Sequence, residues 1–180
     1  MSAETTDPLA LLRDLERRCR SHARPLPSQV EIREDWLGIG FRVGDSRLVA
    51  PLDEVAEILT YPGFSKVPGS KEWVRGIANV RGNLLPIMDL NGYLHGRPAL
   101  PGRKTRVLVI NHRGVFSGLV VDEVLGLKHF LPEQRIDEVE GVDDTLQPYL
   151  SHGFHNESGL WGVFSMRRLA ETPQFLQAAV

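Results

Sequence analysis

The chain has 180 residues, and its net charge of −2 with a pI of about 6.3 provides no positive field that would hold a polyanion such as nucleic acid. Apolar residues make up 42% and charged residues 24%, which is typical of a globular protein with a core of its own. The one cysteine, Cys19, excludes an internal disulfide, and the lack of any run near ~18 apolar residues predicts a cytoplasmic protein without membrane insertion.

The first predicted element is a helix. Its apolar residues recur at helical spacing and are Leu11, Leu12, Leu15 and Cys19. The arginines around them are interleaved with acidic residues, which predicts a solvated polar face rather than a membrane-binding one. Two prolines follow in a stretch without periodicity. We therefore assign residues 1–24 to an N-terminal helix and residues 25–35 to a linker.

From Trp36 onward the apolar residues alternate with polar or small ones, which indicates strands. The predicted strands are 37–43, 47–52, 76–81, 84–89, 106–111, 115–124, 127–131, 150–155 and 160–164. Short helices are expected at 53–59, at 89–94 and after Ser165. Because nine short strands are accompanied by few long helices, a doubly wound parallel sheet is excluded and an all-β fold of small barrels or a sandwich is favoured. The main domain is assigned to residues 36–172 and a C-terminal tail to 173–180.

Common catalytic and cofactor-binding patterns are not found. The glycines of Gly38-Ile-Gly-Phe-Arg-Val-Gly44 lie in an alternating strand, whereas a dinucleotide site needs a helix after the turn. His152 and His155 would point to opposite faces of a strand and have no third ligand nearby. We predict no catalytic residue, no cofactor and no metal. A hydrolase that uses Ser117, His152 and a carboxylate remains a distant alternative.

Five segments, in this order, resemble the CheW-like family of chemotaxis coupling proteins. They are Val55-Ala56-Glu57-Ile58, Pro68-Gly69, Gly76 to Gly82 (GIANVRG), Leu85 to Leu90 (LPIMDL) and Gly118 to Val124 (GLVVDEV). The resemblance extends from about Leu37 to Leu169. It implies two intertwined five-stranded SH3-like barrels, here with an added N-terminal helix. The N-terminal helix and the ending that includes Trp161 to Ser165 are similar to members that serve twitching motility.

The resemblance also implies a function without chemistry of its own. Such proteins are adaptors that bind the regulatory domain of a CheA-like histidine kinase and the cytoplasmic tip of a methyl-accepting chemoreceptor. We therefore expect a cytoplasmic, non-enzymatic adaptor that is recruited to membrane-associated receptor arrays and that controls type IV pilus twitching. An alternative is a scaffold that sequesters the kinase or the receptor without coupling the two.

The residues expected to bind partners cluster around one turn. Arg81 matches a family arginine that is linked to partner binding, and its planar guanidinium suits carboxylate or carbonyl oxygens. Glu57 is expected to lie near Arg81 and to orient it, although a plain surface glutamate is the alternative. The remaining residues expected at the partner surface are Gly82, Asn79, Val80, Asn83 and Val121. Because Val120 and Val121 must face opposite sides of a strand, at most one of them is expected in an exterior groove.

Overall fold

The structure is a computed structural model that describes residues 8–22 and 35–178. The chain divides into two compact units, Met1–Arg33 and Glu34–Val180. In the first unit one helix, α1, spans Pro8–His22, and its Leu11, Leu12 and Leu15 side chains are about half exposed or more. The predicted linker lies, apart from Asp35, outside the described residues. In the described part of the chain, no helix is long and apolar enough to cross a membrane.

The second unit is built from two β-sheets. Its strands are β1 Trp36–Val43, β2 Ser46–Pro51, β3 Glu57–Thr60, β4 Val74–Val80, β5 Asn83–Asp89, β6 Arg106–His112, β7 Val115–Val121, β8 Glu123–Phe130, β9 Arg135–Ile136, β10 Leu150–Asn156 and β11 Gly159–Phe164. Its short helices are α2 Leu90–His95, α3 Met166–Glu171 and α4 Pro173–Leu176. One sheet has the order β8-β1-β2-β11-β10-β9 and the other the order β3-β6-β7-β5-β4. The predicted all-β fold class is confirmed, with a sixth strand in the first sheet.

The sequence did not predict two of the strands, β9 and β3. The strand β9 has only two residues, too few to show a period of two. The helix expected at 53–59 is wrong, because a 3₁₀ turn at Leu52–Glu54 is followed by β3. β3 pairs antiparallel with β6, with Ile58 opposite Leu108. The extended conformation of β3 is determined by this pairing with β6, which cannot be inferred from the local sequence.

Three groups of buried apolar side chains form the core. The largest combines residues of both sheets with α2, α3 and α4, and it includes Phe41, Leu119 and Phe164. A second group fills the inside of the five-stranded sheet. A third is aromatic, with the Phe130 and Phe154 rings stacked at 4.5 Å. Phe175, in the segment assigned to the tail, is 2% exposed and packs in the largest group. The division into domains remains a prediction.

The five-stranded sheet curls until its two edge strands, β3 and β4, approach each other. The chain that leaves β3 reaches β4, where the Ser65 and Ile77 amides each donate to the other's carbonyl at 2.9 Å. Gly76 permits this approach, because a Cβ at that position would lie 2.1 Å from the Ser65 carbonyl oxygen and its φ of 145° disfavours other residues. The sheet is thereby closed around the second apolar group.

A buried carboxylate fixes the end of this sheet. Asp89, the last residue of β5, is 0% exposed and accepts hydrogen bonds from the Gly92 amide at 2.9 Å and the Ala99 amide at 2.8 Å. The Arg75 guanidinium lies 3.7 Å away. Burial raises the pKa of Asp89, and the two amides and Arg75 oppose that rise. Asp89 therefore joins β5, α2 and the loop after α2 at one point.

We predict that Asp89→Ala lowers the free energy of unfolding by about 2–4 kcal/mol, since two buried amides lose their acceptor. Chemical denaturation measures this loss, and Asp45→Ala, at an exposed turn carboxylate, is the matched control with a change within about 0.5 kcal/mol. An Asp89→Ala variant as stable as the control would show that this carboxylate does not hold the sheet end.

Candidate functional site

The hairpin of β4 and β5 has one face inside the barrel and one face open to solvent. Its inward side chains, among them Ala78, Leu85 and Ile87, are buried in the second apolar group. On the outer face Ile77 is 36% and Leu84 is 70% exposed. Alternation along paired strands places the exposed residues next to one another, and we call Ile77, Asn79, Leu84 and Pro86, with the turn 81–83, the hairpin surface.

The turn at the tip of this hairpin holds Arg81 in an uncommon backbone conformation. Arg81 has a φ of 50° and Gly82 a φ of 87°, the pair of positive values that a two-residue type I′ turn requires. The Asn79 side-chain oxygen accepts a hydrogen bond from the Gly82 amide at 2.9 Å. This bond fixes the turn, so the direction in which the Arg81 side chain leaves the hairpin is fixed too.

Glu57 and Arg81 are in contact. A guanidinium nitrogen of Arg81 lies 2.8 Å from a carboxylate oxygen of Glu57, with 78% of the Arg81 side chain and 35% of the Glu57 side chain exposed. Glu57 is on β3 and Arg81 follows β4, so the ion pair spans the two edges of the curled sheet. Exposed ion pairs of this kind contribute only about 0–1 kcal/mol to stability. The pair therefore adds little stability, and most of the Arg81 side chain remains exposed to solvent.

The other residues predicted for the partner surface differ in exposure. Gly82, Asn79 and Asn83 are exposed, and Val80 is half-buried against the second apolar group. Val121 is 1% exposed and packs in the largest group, so its assignment to a partner surface is wrong. The reason is that β7 lies between β6 and β5 with apolar groups on both faces, and both Val120 and Val121 are covered.

Sequence reasoning missed the apolar part of the hairpin surface. Neither Ile77 nor Leu84 is among the residues predicted for the partner surface. The sequence pattern indicates this surface, because Ile77 alternates with the inward-facing Ala78 and so lies on the same face as the polar Asn79. Asn79 in turn pairs with Leu84 on the neighbouring strand. Single exposed apolar residues are common on protein surfaces, whereas apolar residues that lie together on one face form a candidate contact surface.

The residues of the hydrolase alternative do not come together. The Ser117 hydroxyl is buried in the five-stranded sheet and donates to the Pro86 carbonyl at 3.3 Å. His152 lies in the other sheet, where its Nδ1 is 3.0 Å from the Ser151 hydroxyl and burial lowers its pKa. Among the described residues, no group of three or more His, Cys, Asp or Glu side chains is placed to hold a metal ion.

Comparison with known proteins matches the chain to one family model and to several individual proteins. Residues 37–174 match the family model of the CheW-like domain. The chain is 46% identical over 179 residues to Protein PilI of Pseudomonas aeruginosa, which covers 99% of each chain. It is also 36% identical over 88 residues to Protein FrzA of Myxococcus xanthus, which covers 49% of this chain and 55% of FrzA.

A solved structure has a fold similar to that of this chain. The crystal structure of scaffolding protein TtCheW from Thermoanaerobacter tengcongensis superposes with a TM-score of 0.67, covering 78% of this chain and 95% of that one. Because only 17% of the aligned residues are identical, this likeness concerns the fold alone.

Proposed function

The chain belongs to the CheW-like family of chemosensory scaffold proteins, and we propose that it couples a methyl-accepting chemoreceptor to a CheA-like histidine kinase. In this proposal it binds the regulatory domain of the kinase and the cytoplasmic tip of the receptor. It needs no cofactor, and its product is an assembly that biases the conformations of the kinase rather than a chemical change.

The exposed Arg81, held by Glu57 beside the apolar residues of the hairpin surface, is the observation that carries this proposal. An exposed guanidinium at the tip of a hairpin whose outer face carries exposed Ile77 and Leu84 suits a partner that offers carboxylate or carbonyl oxygens beside an apolar stripe. An amphipathic helix has both features on one side. We place the binding residues at Arg81, Gly82, Asn79 and Asn83, with Glu57 as the residue that positions Arg81.

We further propose that the system controls type IV pilus twitching. The 46% identity to PilI across nearly the whole chain supports this assignment, since it includes the N-terminal segment outside the CheW-like match. The adaptor would then act in the cytoplasm and be recruited to receptor arrays at the membrane.

The alternative is a scaffold that sequesters one partner. Kinase turnover and co-sedimentation, measured with purified receptor and kinase as adaptor is added from below stoichiometric amounts, separate the two functions. Coupling predicts that the first additions raise turnover and bring kinase into the receptor fraction. A fall in turnover from the first addition, with kinase left in the supernatant, would support sequestration instead.

We predict that Arg81→Asn weakens binding to the kinase regulatory domain, the receptor tip or both by about tenfold or more, because a guanidinium contact is lost. Asparagine suits the first position of a type I′ turn, so the hairpin is retained. Isothermal titration measures the affinities, and circular dichroism confirms the fold.

Arg113→Asn is the matched control. Arg113 also precedes a glycine in a hairpin turn, has a φ of 47° and is 77% exposed as a side chain, with an ion pair of 2.9 Å to Glu171. This variant should bind both partners within about twofold of the unaltered protein. Equal affinities for the two variants would remove Arg81 from the proposed site.

A further inference from the structure

The helix α1 carries an apolar stripe that is open to solvent. At about 100° per residue, Leu11, Leu12, Leu15 and Cys19 fall within a sector about 100° wide on one side of the helix. The exposed fractions of the three leucines are 54%, 61% and 48%, and Cys19 is exposed as well. Four such side chains together on one face form a candidate contact surface, unlike single exposed leucines. We call these four residues the α1 stripe.

The other side of α1 is polar and carries an excess of positive charge. Four arginines and two acidic residues give the helix a net charge of +2. Arg13 and Arg17 are exposed on the side away from the stripe, and neither forms an ion pair within the described residues. Asp14 and Arg18, one helical turn apart, pair at 2.7 Å. The helix is therefore amphipathic, with a positively charged polar face.

The length of α1 makes a covering surface important for its stability. With 15 residues the helix is near the lower limit for an isolated helix in water, and most helices in proteins are stabilised by packing of an apolar face. α1 belongs to a compact unit of its own and lies outside residues 37–174, which match the CheW-like domain. A partner that covers the α1 stripe would supply the missing packing.

The spacing and the charge of α1 define the kind of surface that fits it. Leu12, Leu15 and Cys19 recur at intervals of three and four residues, the spacing with which one helix packs along another. The positive charge of α1 favours a partner helix that carries carboxylates beside its apolar stripe. A second α1 has the same positive charge, which disfavours pairing between two copies. The surface that fits α1 is therefore an acidic amphipathic helix.

We propose that α1 packs along the same partner helix that the hairpin surface binds. This inference rests on the proposed coupling function, in which the hairpin surface meets an amphipathic helix that offers carboxylate or carbonyl oxygens. Residues 23–34 join α1 to the second unit, and a chain of this length reaches at most about 40 Å. One partner can therefore engage both contacts. The tether makes the second contact an intramolecular one, which raises the affinity.

The one cysteine of the chain, Cys19, reports whether the α1 stripe is covered, without any substitution. We expect the receptor tip or the kinase regulatory domain, at saturation, to slow alkylation of Cys19 by iodoacetamide about fivefold or more, because a covered thiol is shielded from the reagent. Mass spectrometry of the full chain measures the rate. In the control, Cys19→Ser with Arg17→Cys, the thiol lies on the opposite side of α1, and the partner should leave its alkylation rate unchanged.

Isothermal titration tests the contribution of the leucines to affinity. Leu11→Gln with Leu12→Gln and Leu15→Gln should weaken binding about tenfold or more to at least one partner that Arg81→Asn also weakens, because the tethered contact is lost. Glutamine has a helix propensity close to that of leucine, so α1 retains its intrinsic tendency to form. Ala10→Gln, at an exposed residue on the polar side of α1, is the matched control and should bind within about twofold of the unaltered protein.

The coupling function and the α1 contact fail in different ways. If the unaltered protein binds neither partner, or Arg81→Asn weakens neither, the shared helix is overturned together with the proposed site. If Arg81→Asn weakens binding while the leucine variant does not, or Cys19 is alkylated at an unchanged rate, only the α1 contact is overturned. Shielding of Cys19 by phosphatidylglycerol vesicles, or by a higher concentration of the protein alone, with no shielding by either partner, would overturn it as well. The stripe would then belong to a membrane surface or to a second copy.

Discussion

The closure of the five-stranded sheet is the constraint on which the rest of the molecule depends. An open sheet of this size would leave the backbone groups of β3 and β4 unpaired and the second apolar group exposed on one side. The curl reduces both, because the segment after β3 bridges to β4 through Ser65 and Ile77, and Gly76 allows that close approach. The same curl brings Glu57, on one edge strand, into side-chain contact with Arg81, which follows the other edge strand. The candidate site is thus a consequence of closure.

The two arginine-glycine turns show why local sequence does not identify this site. Arg81 and Arg113 have nearly the same φ, the same following residue and nearly the same side-chain exposure. They differ in what surrounds them: Arg113 pairs with Glu171 on α3, whereas Arg81 pairs across the sheet edges and stands beside exposed Ile77 and Leu84. The distinction comes from tertiary structure and from the neighbouring apolar side chains.

Much of the fold follows from the period of the apolar residues. Alternation predicted most strands, and the resemblance of five ordered segments to the CheW-like family implied the barrels. The pattern could not reveal β9, which has two residues, or β3, whose conformation is set by pairing with β6. It also could not show that β7 is covered on both faces, so Val121 was placed on the surface although it is buried. Contact between Glu57 and Arg81 was expected from the family, and the structure supplies its geometric cause.

The central claim is that closure of the sheet lets Glu57 hold Arg81 in position for a partner. A double-mutant cycle of Glu57→Ala and Arg81→Ala, read as affinity for the kinase regulatory domain and for the receptor tip, tests it most directly. If Glu57 acts by orienting Arg81, Glu57→Ala weakens binding in the unaltered protein and has little effect once Arg81 is gone. The coupling energy should then be about 0.5 kcal/mol or more. Fully additive losses toward both partners would contradict the account.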